Sequence, residues 1–293
     1  GAASARSFGG IGAAAAGAGL DINEAFSTFL YTTDGTSSKT ITNNIDLSGE
    51  GGLVWLKRRS GSYSHSLYDT ERGVQKQLQS DATTAESTET GGLTAFTSTG
   101  FTIGNVQNQS ALGDIVSWTF RKQPKFFDIV TYTGNATART ISHSLGSVPG
   151  MIIVKQTSGT KEWRVYHRGM DSSAPEDYYL VLNSTATRVD NADTWNDTAP
   201  TSTVFSVGSG SVTNQSGQTY VAYLFAHNND DGGFGEPGDQ DIIKCGSYTT
   251  DSSGNTVVDV GFEPQFVITK GFDYTSNWQI HDVIRGATVG GNA

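Results

Sequence analysis

Cysteine is nearly absent. Cys245 stands alone among 293 residues, which excludes an internal disulfide and a thiolate cage for a metal. It lies in Ile242-Ile243-Lys244-Cys245-Gly246, a context for a small buried apolar residue, and it leaves the redox compartment open. Charge is scarce as well. The 19 Lys and Arg are outnumbered by 29 Asp and Glu, for a net charge of −10. Nucleic acid is not an expected partner, because neutralising phosphates takes clustered cations. The only basic cluster, Lys57-Arg58-Arg59, is too short for a groove and reads as a solvated strand end. No run of about 18 apolar residues occurs, so no helical membrane insertion is expected.

Catalytic signatures are missing too. There is no Gly-x-Ser-x-Gly elbow, no phosphate-binding Gly-x-x-x-x-Gly-Lys-Ser/Thr and no His-Glu-x-x-His. The histidines (His65, His143, His167, His227, His281) are scattered, none paired at metal-ligand spacing. A glycosidase would need paired carboxylates, for which Asp69, Glu71 and Asp282 are the candidates. Asp69-x-x-Arg72-Gly73 and Asp282-x-x-Arg285-Gly286 read instead as ion-paired turns. No catalytic residue is assigned, and the protein is not expected to be an enzyme.

What the chain does have is Gly, Ser, Thr and Asn beside 5 Trp, 11 Tyr and 14 Phe. So many aromatics argue against disorder, and the mixture suits short strands joined by tight turns. Residues 1–22 form a Gly/Ala-rich lead-in, read as flexible or fibrous.

Aligned with itself, the chain shows one unit three times. The copies open on Leu30-Tyr31-Thr32-Thr33-Asp34, Thr131-Tyr132-Thr133-Gly134-Asn135 and Ser247-Tyr248-Thr249-Thr250-Asp251. A short β-branched strand follows at Thr40-Ile41, Thr140-Ile141 and Val257-Val258. Then comes an apolar strand ending in lysine: Leu53-Val54-Trp55-Leu56-Lys57, Met151-Ile152-Ile153-Val154-Lys155 and Phe266-Val267-Ile268-Thr269-Lys270. The chain re-enters a strand at Ser66–Asp69, Trp163–His167 and Trp278–Asp282, and each copy reaches Arg-Gly at Arg72-Gly73, Arg168-Gly169 and Arg285-Gly286.

Two copies close alike, with Ile115-Val116-Ser117-Trp118-Thr119-Phe120 matching Tyr220-Val221-Ala222-Tyr223-Leu224-Phe225. Ile115, Ser117 and Thr119 face one way, and Val116, Trp118 and Phe120 the other. The doubly apolar Met151–Val154 run should be a central strand. The expectation is an all-β protein of tandem antiparallel β-sandwich domains of about 100 residues each, the third copy incomplete. Its parts are a first repeat over 23–122, a second over 126–227, an acidic Gly-rich linker over 228–241 and the N-terminal part of a third over 242–293. The best helical candidate is Glu71 to Leu78, a short turn or helix over a sandwich edge. A half-sandwich exposes an apolar face and open edges, so Ala293 is not expected to be the natural end, or another chain completes the unit.

Binding candidates are few. Dense oxygen ligands in the linker, Asp230, Asp231, Asp239 and Asp241, would suit Ca²⁺, but no EF-hand spacing is present and a solvated acidic linker is the simpler reading. No other cofactor is expected. Trp195, in a polar loop, is the first candidate to stack on a sugar, followed by Trp163 and Trp278, whose equivalent positions suit packing.

The second copy carries Phe127-Asp128-Ile129-Val130-Thr131-Tyr132, Ile141-Ser142-His143-Ser144-Leu145-Gly146-Ser147-Val148-Pro149-Gly150, Trp163-Arg164-Val165-Tyr166-His167-Arg168-Gly169 and Tyr220–Ala226. This series resembles a β-domain repeated in virion structural proteins of marine tailed bacteriophages, often described as tail-fibre-like. The resemblance covers nearly everything after Leu20, and the first copy departs by lacking the Val-Pro-Gly loop. It implies a location in the virion, an oligomeric tail-fibre or appendage component acting as spacer, and a part in host attachment. The implied partners are other copies of the chain, other virion proteins and a host surface glycan. The alternatives are a carbohydrate-binding module array on a virion or cell surface, and a capsid decoration protein.

Overall fold

The computed structural model describes residues 19–236 and 238–287. The lead-in over 1–18 lies outside them. At its end Asp21 caps a single helical turn, Ile22–Ala25, accepting the amide of Asn23 at 3.0 Å.

The protein is predominantly β, built of antiparallel sheets. The first repeat contains β1 (Phe26–Thr32), β2 (Ser38–Thr42), β3 (Gly52–Arg58), β4 (Ser66–Asp69), β5 (Lys76–Gln77), β6 (Ser87–Thr88), β7 (Leu93–Thr97), β8 (Gly100–Gly104) and β9 (Asp114–Arg121). The second contains β10 (Phe127–Thr133), β11 (Arg139–Ser142), β12 (Met151–Gln156), β13 (Arg164–His167), β14 (Tyr178–Val181), β15 (Val189–Asp190), β16 (Val204–Val207) and β17 (Thr219–Phe225). Among the described residues the third contains β18 (Phe266–Thr269) and β19 (Gln279–Asp282).

Strand order repeats with the sequence. The four-stranded sheet runs β1-β9-β3-β4, and the six-stranded sheet begins β10-β17-β12-β13 before adding β14 and β15. In both, the closing strand lies between the opening strand and the apolar one. β12 is central as its composition requires, paired with β17 on one side and β13 on the other. A separate sheet, β2-β8-β7, belongs to the first repeat, and β11-β16 is its counterpart in the second.

The period-two pattern sorts side chains between two cores. Tyr31, Val54, Leu56, Tyr68 and Ile115 of the four-stranded sheet cluster with Ile41, Leu93, Phe101 and Ile103 of β2, β7 and β8. The opposite face of that sheet, with Leu53, Trp55, Val116, Trp118 and Phe120, joins a larger cluster with Phe127, Ile153, Val221, Tyr223 and Phe225 of the second repeat. Ser117 and Thr119 are buried as well, satisfied by Phe29 O at 3.3 Å and by Asn43 Nδ2 at 2.8 Å. Both faces of the closing strand are therefore covered.

Glu71–Leu78 forms no helix. The chain turns at Thr70–Gln75, and Lys76-Gln77 pairs with Ser87-Thr88. Asp69 binds the turn's donors before a helical ladder can start, accepting the Arg72 amide at 2.9 Å.

Candidate functional site

Side chains that recur between copies converge on the seams between repeats. At the first seam Trp163 Nε1 donates to Gln79 O at 3.0 Å, Lys155 Nζ donates to Thr83 O at 3.2 Å, and the Glu86 amide donates to Thr157 O at 2.8 Å. At the second seam Trp278 Nε1 donates to Val181 O at 2.9 Å, Lys270 Nζ to Thr185 O at 3.2 Å, and the Arg188 amide to Phe272 O at 2.8 Å. The partners are equivalent positions, separated by the same sequence intervals. One interface occurs twice.

This explains the lysine that ends the apolar strand of the second and third copies, whereas Lys57 of the first donates to Tyr63 O within its own repeat. Lys155 is fully buried, with its ammonium among Thr83 O, Gln156 O and Gly159 O, and burial lowers its pKa to about 8. Three backbone carbonyls, one from the neighbouring repeat and two from its own, supply the compensation that a buried cation needs.

A second set of contacts runs the other way. Asp69 accepts the Arg72 amide and Nε at 2.9 and 2.5 Å, and then the Tyr223 hydroxyl of the second repeat at 2.7 Å. Asp282 accepts the Arg285 amide and Nε at 2.8 and 2.5 Å, and then Trp118 Nε1 of the first repeat at 3.0 Å. Tyr223 and Trp118 occupy the same place in their closing strands. The Asp-x-x-Arg-Gly turns end on Gly73 at φ 90° and Gly286 at φ 100°, left-handed values that explain the glycine. Gly169 has another reason: a Cβ there would meet the Gly246 carbonyl carbon at 2.9 Å.

Together the seams join the first repeat to the second, the second to the third and the third back to the first. Phe120, Phe225 and Phe266 meet near the centre, with ring centroids 5.4 Å apart for Phe120–Phe225 and 5.7 Å for Phe120–Phe266.

Among the described residues a cleft of about 560 Å³ lies between the third repeat and the other two. Residues Ile242–Thr250 form one wall and β18 the other, with Phe120, Phe225, Met170 and His167 among the floor residues. Cys245 lies in this wall, buried, and burial pushes its thiol up to about 12. Ellman's reagent should therefore modify the native thiol at least tenfold more slowly than the denatured one; equal rates would show an accessible thiolate.

The residues proposed for sugar stacking are placed elsewhere. Trp163 is 0% and Trp195 2% exposed, so neither offers a ring face to a ligand. Trp195 instead stands edge-on to Tyr166 at 6.2 Å. Its polar sequence context misled, because a capped helical turn, Ala192–Trp195, points the ring into the core. Trp278 is half-buried in the second seam and lines the cleft.

The linker carboxylates do not converge either. Among the described residues no group of three or more His, Cys, Asp or Glu side chains is placed to hold a metal. The two oxygens of Asp241 accept the amides of Asp230 and Gly232, each at 2.9 Å, Asp231 accepts the Asn229 amide, and Asp239 is exposed.

Sequence reasoning missed Lys155 and Lys270 as seam residues. Their recurrence at one register, next to the recurring tryptophan, was the available signal. Fold and seams define a class: an all-β protein whose repeated side chains bind its own repeats to one another. Across residues 21–291 the chain belongs to a family described as a domain of unknown function, DUF7483. No curated protein and no solved structure matches it.

Proposed function

We propose that the protein is a structural component of a tailed-bacteriophage particle, a tail-fibre or appendage element built of tandem β-sandwich repeats. Its partners in this reading are other virion proteins or further copies of itself, and its work is mechanical. The observation that carries the reading is the duplicated seam. The recurring Trp, Lys, Asp and Arg side chains are used to hold repeat against repeat, as a load-transmitting part requires. The virion location rests on the sequence resemblance in the second repeat.

Antibodies raised against the chain and applied to particles of a phage that encodes it test the reading by electron microscopy. Label at the tail or its appendages is the expected result. Label spread over the capsid would favour a decoration protein, and unlabelled particles with the antigen free in the lysate would sink the virion assignment.

A further inference from the structure

The three boundaries between repeats are not chemically alike. Each joins a residue at the tryptophan position of one repeat to one at the aspartate position of the other. Between the first and second repeats these residues are Trp163 and Asp69. Between the second and third they are Trp278 and His167, which pairs with the start of its apolar strand as Asp69 and Asp282 do. Between the third and first they are Asp282 and His65, which precedes β4 as Trp163 precedes β13 and Trp278 precedes β19. A histidine therefore enters each boundary of the third repeat, and neither position of the remaining boundary holds one.

What these rings accept keeps them neutral. His65 Nδ1 accepts Trp55 Nε1 at 2.8 Å, and its ring stacks 6.4 Å from that of Trp118, over which the Arg285 guanidinium sits at 4.9 Å. His167 Nδ1 accepts the Gly169 amide at 3.0 Å, where Gly169 packs against Gly246 of the third repeat. His227, at the same boundary, accepts the Cys245 amide on Nδ1 at 3.1 Å. A proton on any of these Nδ1 atoms would set one donor against another. Among the described residues the charges around them are mostly positive. Lys57 and Arg285 face His65, with Asp81 opposing; Arg168 and His227 face His167; Arg168 and Lys244 face His227, with Asp231 opposing.

We propose that His65, His167 and His227 form an acid-sensitive latch: on protonation the third repeat leaves the other two, which stay joined through Trp163 and Asp69. A freed imidazole takes up its proton near pH 6.5, while burial holds docked His65 and His167 down to about 4. Each pH unit lost between those values favours the open form by up to about tenfold per histidine. The other two histidines do not oppose this. His143 bonds Thr201 O and the Leu145 amide and faces Asp128, all within the second repeat, and His281 is exposed. The latch depends on the repeat geometry and not on the virion role.

Hydrogen exchange of the whole chain at pH 7.5 and 5.0, corrected for the intrinsic pH dependence of exchange, tests the latch. β18 and β19 pair with each other, and an isolated two-stranded pair is marginal in water. Release should therefore cost residues 242–246, 266–269 and 279–282 at least tenfold in protection at pH 5.0, while 151–156 and 219–225 keep theirs. Equal loss in all three repeats, or no loss in the third, would overturn the proposal.

Two variants separate a latch from general acid lability. His65→Asn, His167→Asn and His227→Asn combined keep an acceptor near each Nδ1 position and take no proton. This variant should hold the third repeat closed at pH 5.0; opening at the wild-type pH would refute the latch. Arg168→Gln removes the cation that faces both His167 and His227, so it should move the opening to lower pH. An opening pH that is unchanged or raised counts against the latch, and this variant decides the matter if the triple variant does not fold at neutral pH. None of these results bears on whether antibodies label a virion.

Discussion

Arg72→Ala will lower the first thermal unfolding transition by roughly 6–20 °C, the largest effect expected of any single substitution at the seams. The Arg72 side chain is 4% and Asp69 0% exposed. The guanidinium donates to Asp69 Oδ2, Lys76 O at 2.9 Å, Glu86 Oε2 at 3.1 Å, Leu67 O at 3.1 Å and the Tyr223 hydroxyl at 3.3 Å. Alanine removes all five and leaves the Asp69 carboxylate buried with a backbone amide and a hydroxyl. Breaking a buried pair from one side costs about 3–5 kcal/mol, and each kcal/mol moves the midpoint by about 2–4 °C in a chain of this size class. Lysine should not rescue, because it lacks the planar fork. Arg285→Ala is the internal control. Its side chain is 27% exposed, with bonds to Asp282 and Ile280 O and a face over Trp118, so about 2 kcal/mol is expected. Equal losses for the two arginines, measured by differential scanning calorimetry, would contradict this account of burial.

Acid should destabilise the protein well before carboxylates protonate. Burial, with Lys57 and Arg285 adding to it and Asp81 opposing, lowers His65 to about 4. Burial, with Arg168 and His227, does the same to His167. His143 and His227 are also lowered, again by burial first. An unfolded histidine titrates near 6.5, so between pH 6.5 and 4 the unfolded chain binds protons that the native one refuses. Stability from these groups is complete above pH 6.5 and is lost as pH falls toward 4. Each of His65 and His167 contributes at most on the order of 3 kcal/mol across that window. Asp34, held low first by Lys39, loses its contribution only at more acidic pH. Urea titrations at pH 7.5, 6, 5 and 4 should show a midpoint that declines throughout, and His65→Gln with His167→Gln should flatten the decline. A pH-independent midpoint over this range would mean that the two rings are solvated.

The strands were legible because their apolar positions alternate and their order recurs. The Asp69–Arg72 and Asp282–Arg285 turns were legible for a local reason: both partners and the glycine lie within five residues. The seams were not, because each joins side chains to backbone carbonyls of another repeat. Gln79 O and Val181 O leave no trace in residue identity. Trp195 shows the opposite failure, since polar neighbours suggested exposure while a single capped turn buried the ring. The apolar face of β9 was visible, but its partner, Tyr223 with Phe225, belongs to another copy of the same motif.

The seam also sets a limit on copy number. It is directional, one face of each repeat mating with a different face of the next, and the third repeat returns to the first through Asp282 and Trp118. Such head-to-tail contacts either close or grow without end. Here they close, so a fourth repeat could enter only by opening the contact between Asp282 and Trp118. A solenoid lengthens by accretion; a ring lengthens only by breaking.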